Sequence, residues 1–195
     1  MADISASLVK ELRDETGVGM MECKKALVET GGDKEAAIKK LREAGMQMAA
    51  KKASRTAKQG IIAASVAPDA QSGRMIEVNC ETDFVAKNDL FQSFVAELLR
   101  EAEGLADDTI GDACKSKVEA KIAEIGENLV ARRNLTYQVQ GTGAVAAYVH
   151  LGGKLGVMVE VGCTKPESVQ QDAVKAMLAD LTLHITAVNP ACITR

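Results

Sequence analysis

The apolar spacing of this chain changes near residue 60 from a helical period to a period of two, and that switch limits the folds open to it. Before it, Ile4, Leu8 and Leu12 recur every four residues, Cys23 and Leu27 continue the pattern over residues 20–28, and Ala37, Ile38 and Leu41 follow. Gly17 with Gly19, then Gly31 with Gly32, break the chain into three short helices. Asp33 is a good N-cap for the third, and Gly45 is predicted to stop it. After the switch, residues 60–66 and 74–78 flank a turn-rich stretch and predict an antiparallel hairpin. Helices over 88–103 and about 111–125 and a strand over 129–140 follow, with Arg132 and Arg133 at an exposed edge or an interface. A second hairpin pairs 143–151 with 154–161 across Gly152-Gly153. Pro166 then opens a long helix that Asn189-Pro190 ends.

The predicted class is α+β. A three-helix domain spans 1–45, a basic linker helix 46–59, a first core subdomain 60–140 and a second 141–195. Hairpin followed by helix occurs in both core parts, a weak internal repeat.

Within this frame one corner stands out. The chain has three Phe and no Trp. Phe91 and Phe94 sit three apart in a strongly periodic stretch and belong on a buried helix face, but Phe84 lies outside that rhythm. Asn79 and Thr82 are cap-type residues after the strand-like 75–78 run, so Asp83 and Phe84 fall at a strand-to-helix corner, where a side chain can leave the core and enter a partner. The simpler alternative has Phe84 folded back as a core anchor and Asp83 capping a helix.

Other chemistries find little support. The five cysteines are scattered and never paired as C-x-x-C, which favours reduced, mostly buried thiols over a disulfide framework or a zinc site. The two histidines, His150 and His184, fall in no metal-ligand spacing, so neither a metal nor a cofactor is expected. The glycine pairs lie between strand-like runs, where hairpin turns explain them better than a nucleotide loop. No apolar run reaches about 18 residues, and Met1-Ala2-Asp3-Ile4-Ser5 lacks signal-peptide order, so a cytoplasmic protein without a membrane partner is expected. Lys39, Lys40, Arg42, Lys51, Lys52, Arg55 and Lys58 face only Glu43 in a chain of net charge -3. With few aromatic rings to stack on bases, a solvated helix explains this run better than nucleic-acid binding. Some of these cations suit an acidic protein surface instead.

Longer strings carry a resemblance. Thr16-Gly17-Val18-Gly19-Met20-Met21-Glu22-Cys23-Lys24-Lys25-Ala26-Leu27, with Gly32-Asp33 and Leu41-Arg42, resembles the opening of the elongation factor Ts family. The likeness continues through Ala50-Lys51-Lys52-Ala53, Val78-Asn79-Cys80-Glu81-Thr82-Asp83-Phe84-Val85-Ala86, Ile125-Gly126-Glu127-Asn128 with Arg132-Arg133, and Tyr148-x-His150 with Gly153-Lys154-x-Gly156-Val157. It implies a ubiquitin-associated-like three-helix domain followed by a two-part α+β core. Longer family members continue past the Pro190 equivalent with a protruding helical hairpin and more of the core. The chain thus resembles the long layout cut short, with an incomplete second subdomain.

The resemblance also implies a role: a guanine nucleotide exchange factor, not an enzyme, that acts during polypeptide elongation on the GTPase EF-Tu in its GDP-bound and nucleotide-free forms. In the family, Thr-Asp-Phe-Val approaches the GTPase near its magnesium site and the ring wedges between elements that hold the ion and the phosphates; here these are Thr82, Asp83, Phe84 and Val85. Arg13, Met20 and Met21 match positions that grip the nucleotide domain, Ile125 and Gly126 match positions near it, and His150 matches one facing another GTPase domain. The bland alternatives are that Met20 or Met21 is core and that His150 is a loop histidine. A homodimer of the complex is left open. Two rivals remain: a ubiquitin-type adaptor needing only residues 1–45, and a thiol enzyme built on Cys80 with His150 or His184.

Overall fold

A computed structural model describes residues 4–192; residues 1–3 and 193–195, and with them the expectations drawn from the chain's two ends, lie outside the described residues. In chain order the first half contains α1 (Ala6–Thr16), α2 (Met20–Glu29), α3 (Lys34–Lys52), β1 (Gln59–Val66), β2 (Ser72–Cys80), α4 (Asp83–Ala86) and α5 (Asp89–Glu101). The second contains α6 (Ile110–Ala113), α7 (Lys115–Ile125), β3 (Val130–Gln138), β4 (Gly143–His150), β5 (Leu155–Gly162), α8 (Pro166–Val169) and α9 (Asp172–Val188). The described residues are thus mixed α+β, with two small antiparallel sheets. They form two compact units: 4–57 with Lys115–Leu129, and Lys58–Cys114 with 130–192.

The first unit is helical. Ser5 Oγ accepts from Leu8 N at 3.2 Å to start α1, and Gly17 at φ 68° ends it, a left-handed conformation that glycine adopts without Cβ strain. Asp33 Oδ1 accepts from Ala36 N at 3.0 Å to start α3, as its cap-type side chain predicts. Val9, Leu12, Cys23, Ala26, Leu27, Ala37 and Leu41 close into a small core, with Ile4 and Leu8 half-buried at its edge.

Gly45 does not stop α3. The helix runs on to Lys52, so the basic residues at its end extend α3 and no separate linker helix begins at 46. Gly45 is buried with Ala123 of α7 beside it, and a Cβ there would lie 3.3 Å from that of Ala123. The missing side chain serves close helix packing, not termination. The helix expected over 111–125 is likewise two elements, divided at Cys114, and Lys115–Leu129 joins the first unit instead of lying within a 60–140 subdomain.

The second unit is built on the sheet β1-β2-β3. The expected hairpin forms, with Gln59 paired to Cys80 and Val66 to Gly73, and β3 pairs on the other side of β2 with a shift at Glu77/Val78. Asn88 Oδ1 accepts from Leu90 N at 2.8 Å to start α5, whose Phe91, Phe94, Val95 and Leu98 are buried. The outer side of β3 is covered. Asn134, 2% exposed, accepts from Thr109 N and Ile110 N at 3.0 and 2.9 Å and donates to Ala106 O at 2.9 Å. Asp107 Oδ1 accepts from Thr136 N at 2.8 Å, so a loop occupies an edge that another chain would otherwise find open. Arg133 Nε donates to Glu77 Oε2 at 2.8 Å across the sheet, and both arginines of the pair stay exposed.

The hairpin β4-β5 packs beside β1 and the β1–β2 turn, where Ile62 N donates to Gly153 O at 2.7 Å and Val145 N to Ala70 O at 2.8 Å. The helix after Pro166 is not continuous. Gln171 is extended at ψ 135°, which ends α8 and serves as the N-cap of α9. Asn189, left-handed at φ 46°, ends α9 as its position before Pro190 predicts.

Candidate functional site

At the end of β2 the chain turns through Glu81 and Thr82 into the single turn of α4. Thr82 is extended (φ -118°, ψ 155°) and its Oγ1 accepts from Val85 N at 3.3 Å, so Thr82 and not Asp83 is the cap. Cys80 is fully buried and its Sγ donates to Thr82 O at 3.2 Å, which fixes the turn from beneath. Asp83 begins the helix and pairs with Lys87 Nζ at 2.9 Å. That hydrogen bond, then the charge of Lys87, holds the Asp83 carboxyl below the ordinary carboxylate value. Ala86 is buried and Val85 half-buried, so α4 is anchored on one side.

Phe84 points away. Its relative exposure is 81%, against 0% for Phe91 and 3% for Phe94. A bulky ring held out of the core on a capped, anchored turn is poorly placed to stabilise this fold and well placed to enter another surface. Asn79, expected as a cap-type residue, is instead a buried member of β2 whose Nδ2 donates to Gln59 O at 3.2 Å and Glu77 Oε1 at 3.1 Å.

His150 ends β4 and does not sit in a loop; its Nδ1 shares a 2.8 Å hydrogen bond with the Tyr148 hydroxyl, and the two rings lie tilted with centroids 5.6 Å apart. The corner and His150 belong to the second unit. The first unit carries the remaining candidates. Met20 and Met21 open α2 at 49% and 74% exposure, so neither is core. Arg13 is exposed in the last turn of α1. Ile125 ends α7 half-buried. Gly126 follows at φ 86°, with its carbonyl accepting from Lys52 Nζ.

A sequence profile described as Elongation factor TS matches residues 81–195, which include the corner and everything after it. The chain belongs to this family. An elongation factor Ts of Nautilia profundicola is 43% identical over 97% of the chain, one of Nitratiruptor sp. is 43% identical over 96%, and one of Clostridium perfringens is 45% identical over 96%. The chain spans about 64% of the length of the first two of these elongation factor Ts relatives.

Two features escaped sequence reasoning. The Asp83–Lys87 pair has a visible signal, acid followed by base at i,i+4. The hydrogen bonds of Lys154 to Gln59 and Gly60 have none, because they join residues far apart in sequence.

Proposed function

We propose that the protein is a guanine nucleotide exchange factor for EF-Tu that promotes GDP release during polypeptide elongation. The observation that carries this is the exposed Phe84 ring on a turn fixed by Thr82, Cys80 and Ala86. Such a factor needs no acid, base or nucleophile of its own. It works by linkage: whatever favours the nucleotide-free GTPase must weaken nucleotide binding by the same factor as nucleotide weakens the exchange factor. Shifting GDP release by several decades takes roughly 4 to 6 kcal/mol of opposition, within reach of a few contacts.

The ring of Phe84 wedges near the magnesium site of the GTPase, with Thr82, Asp83 and Val85 around it. A ring forced into packed surroundings repacks them discretely, and displacing Mg²⁺ removes the charge that neutralises the phosphates of GDP. The three helices α1–α3, which we read as ubiquitin-associated-like, dock through Arg13, Met20 and Met21. Exposed methionines suit an adaptable contact. Ile125, Gly126 and His150 add further contacts. This work belongs in the cytoplasm. Among the described residues no helix is long and apolar enough to cross a membrane.

The rivals fare less well. Cys80 is fully buried and donates within its own turn, which disfavours a thiol nucleophile. Part of the basic run is already engaged, Lys40 with Glu29 at 2.6 Å and Lys52 with the Gly126 carbonyl, which leaves less of it for nucleic acid. A ubiquitin adaptor leaves the exposed Phe84 without a role. Release of a fluorescent GDP from EF-Tu, followed with and without the chain, tests the proposal. Acceleration that rises to a plateau with chain concentration is expected, and an unchanged rate would overturn it.

A further inference from the structure

Backbone and side chain both fasten the tip of the β4-β5 hairpin to the start of β1. Besides the Ile62–Gly153 bond, Lys154 Nζ donates to Gln59 Oε1 at 2.9 Å and to Gly60 O at 3.3 Å. These acceptors are directly in register with the end of β2, Gln59 opposite Cys80 and Gly60 opposite Asn79. Asn79 Nδ2 adds its own bond to Gln59 O at 3.2 Å. The ammonium is therefore one cross-strand pair, Gln59 with Cys80, away from the strand end that leads into Thr82.

The approach is close. Gly153 has φ 94°, and a Cβ on it would lie 2.7 Å from the Cβ of Ile61, so the tip can lie this near β1 only without a side chain at that position. A cavity of about 120 Å³ lies here, lined among others by Gln59, Glu77, Asn79 and Lys154, and Asn79 Oδ1 is buried in this region without a hydrogen-bond partner. Lys154 is an exposed residue, and its ammonium donates to acceptors on two successive β1 residues. The charge of Lys154 also reaches Asp83, adding to the larger pull of Lys87.

We propose that Lys154 is a positioning residue: it ties the 82–85 corner, through Gln59 and Gly60, to the hairpin that carries His150, so that Phe84 and His150 keep a fixed separation. This rests on the exchange function above. A partner that binds the hairpin then pushes against a held ring instead of displacing a loose one. Lys154 touches no reacting group, and its effect passes through Phe84.

The test is a cycle of variants in the GDP-release assay. Lys154→Met keeps the aliphatic stem and removes the ammonium. At saturating chain it is expected to slow release about five- to tenfold while shifting the half-saturating concentration less than about twofold, and Lys154→Arg restores most of the rate. In the double variant with Phe84→Ala, release is no slower than with Phe84→Ala alone, because both changes remove the same push. Multiplying effects, or a wild-type plateau for Lys154→Met, would overturn the proposal. In the free chain, the Ile62 amide of Lys154→Met is expected to exchange with solvent about tenfold faster or more. Unchanged exchange there also overturns it. A wild-type chain that releases no GDP refutes the exchange function instead, and the Ile62 amide still decides whether Lys154 holds the hairpin.

Discussion

Replacing Phe84 with Ala removes the ring that is 81% exposed in the free protein. An aromatic side chain buries about 150–250 Å² when enclosed, so roughly 150 Å² of Phe84 is available to a partner, worth about 4 kcal/mol at ~25 cal/mol per Å². Alanine keeps part of that area, which leaves a loss of about 2–3 kcal/mol, or roughly 30- to 140-fold. The fold hardly needs the ring: a surface substitution of this kind changes stability by about 0.5 kcal/mol or less, so denaturation midpoints of the two proteins should agree. The assay is release of fluorescent GDP from EF-Tu over a range of chain concentrations. A ring that pushes lowers the plateau rate, whereas a ring that only docks raises the half-saturating concentration and leaves the plateau intact. A folded Phe84→Ala protein that reaches the wild-type plateau would refute the wedge.

Asn134→Ala removes a buried side chain that satisfies Thr109 N, Ile110 N and Ala106 O, and leaves the buried Ile110 amide and the amide of exposed Thr109 without their acceptor; the second unit is expected to lose about 2 kcal/mol, read from urea denaturation. Lys51→Met, at an exposed position late in α3, should flatten the salt dependence of association with EF-Tu and leave the plateau rate alone, measured by stopped flow between low and high ionic strength. Asp83, with its carboxyl held down by Lys87, contributes its pairing above the unfolded carboxylate pKa of about 3.9 and loses it only as pH falls through the lower folded value, so exchange should be insensitive to this pair from about pH 8 to pH 5. In Lys87→Met the Asp83 carboxyl should titrate higher than in the wild type, followed by NMR of that carboxyl carbon; an unmoved midpoint would remove the pair from the description.

The helical rhythm made Phe91 and Phe94 readable as core and left Phe84 over, and the cap chemistry of Thr82 placed it at a corner; burial then bears this out. The hairpins were legible for a similar reason, since alternation and turn residues are local signals. Gly45 was misread because glycine ends helices and also lets them approach closely, and only Ala123, far along the chain, decides between the two. The membership of Lys115–Leu129 in the first unit is hidden for the same reason. Asn79 looked like a cap because its partners, Gln59 and Glu77, become neighbours only when β1 and β2 pair. The exposure of both Met20 and Met21 could not be read from spacing, as adjacent helical residues give no rule for which one turns inward.

Reciprocity offers the most direct test. The affinity of the chain for EF-Tu is measured twice, once with the GTPase nucleotide-free and once with saturating GDP and Mg²⁺, and the affinity of EF-Tu for GDP is measured with and without saturating chain. Opposition between chain and nucleotide requires the two ratios to be large and equal, with the wild-type ratio falling about 30-fold or more in Phe84→Ala if the ring supplies the push. Equal affinity of the chain for GDP-bound and nucleotide-free EF-Tu would contradict the exchange mechanism outright.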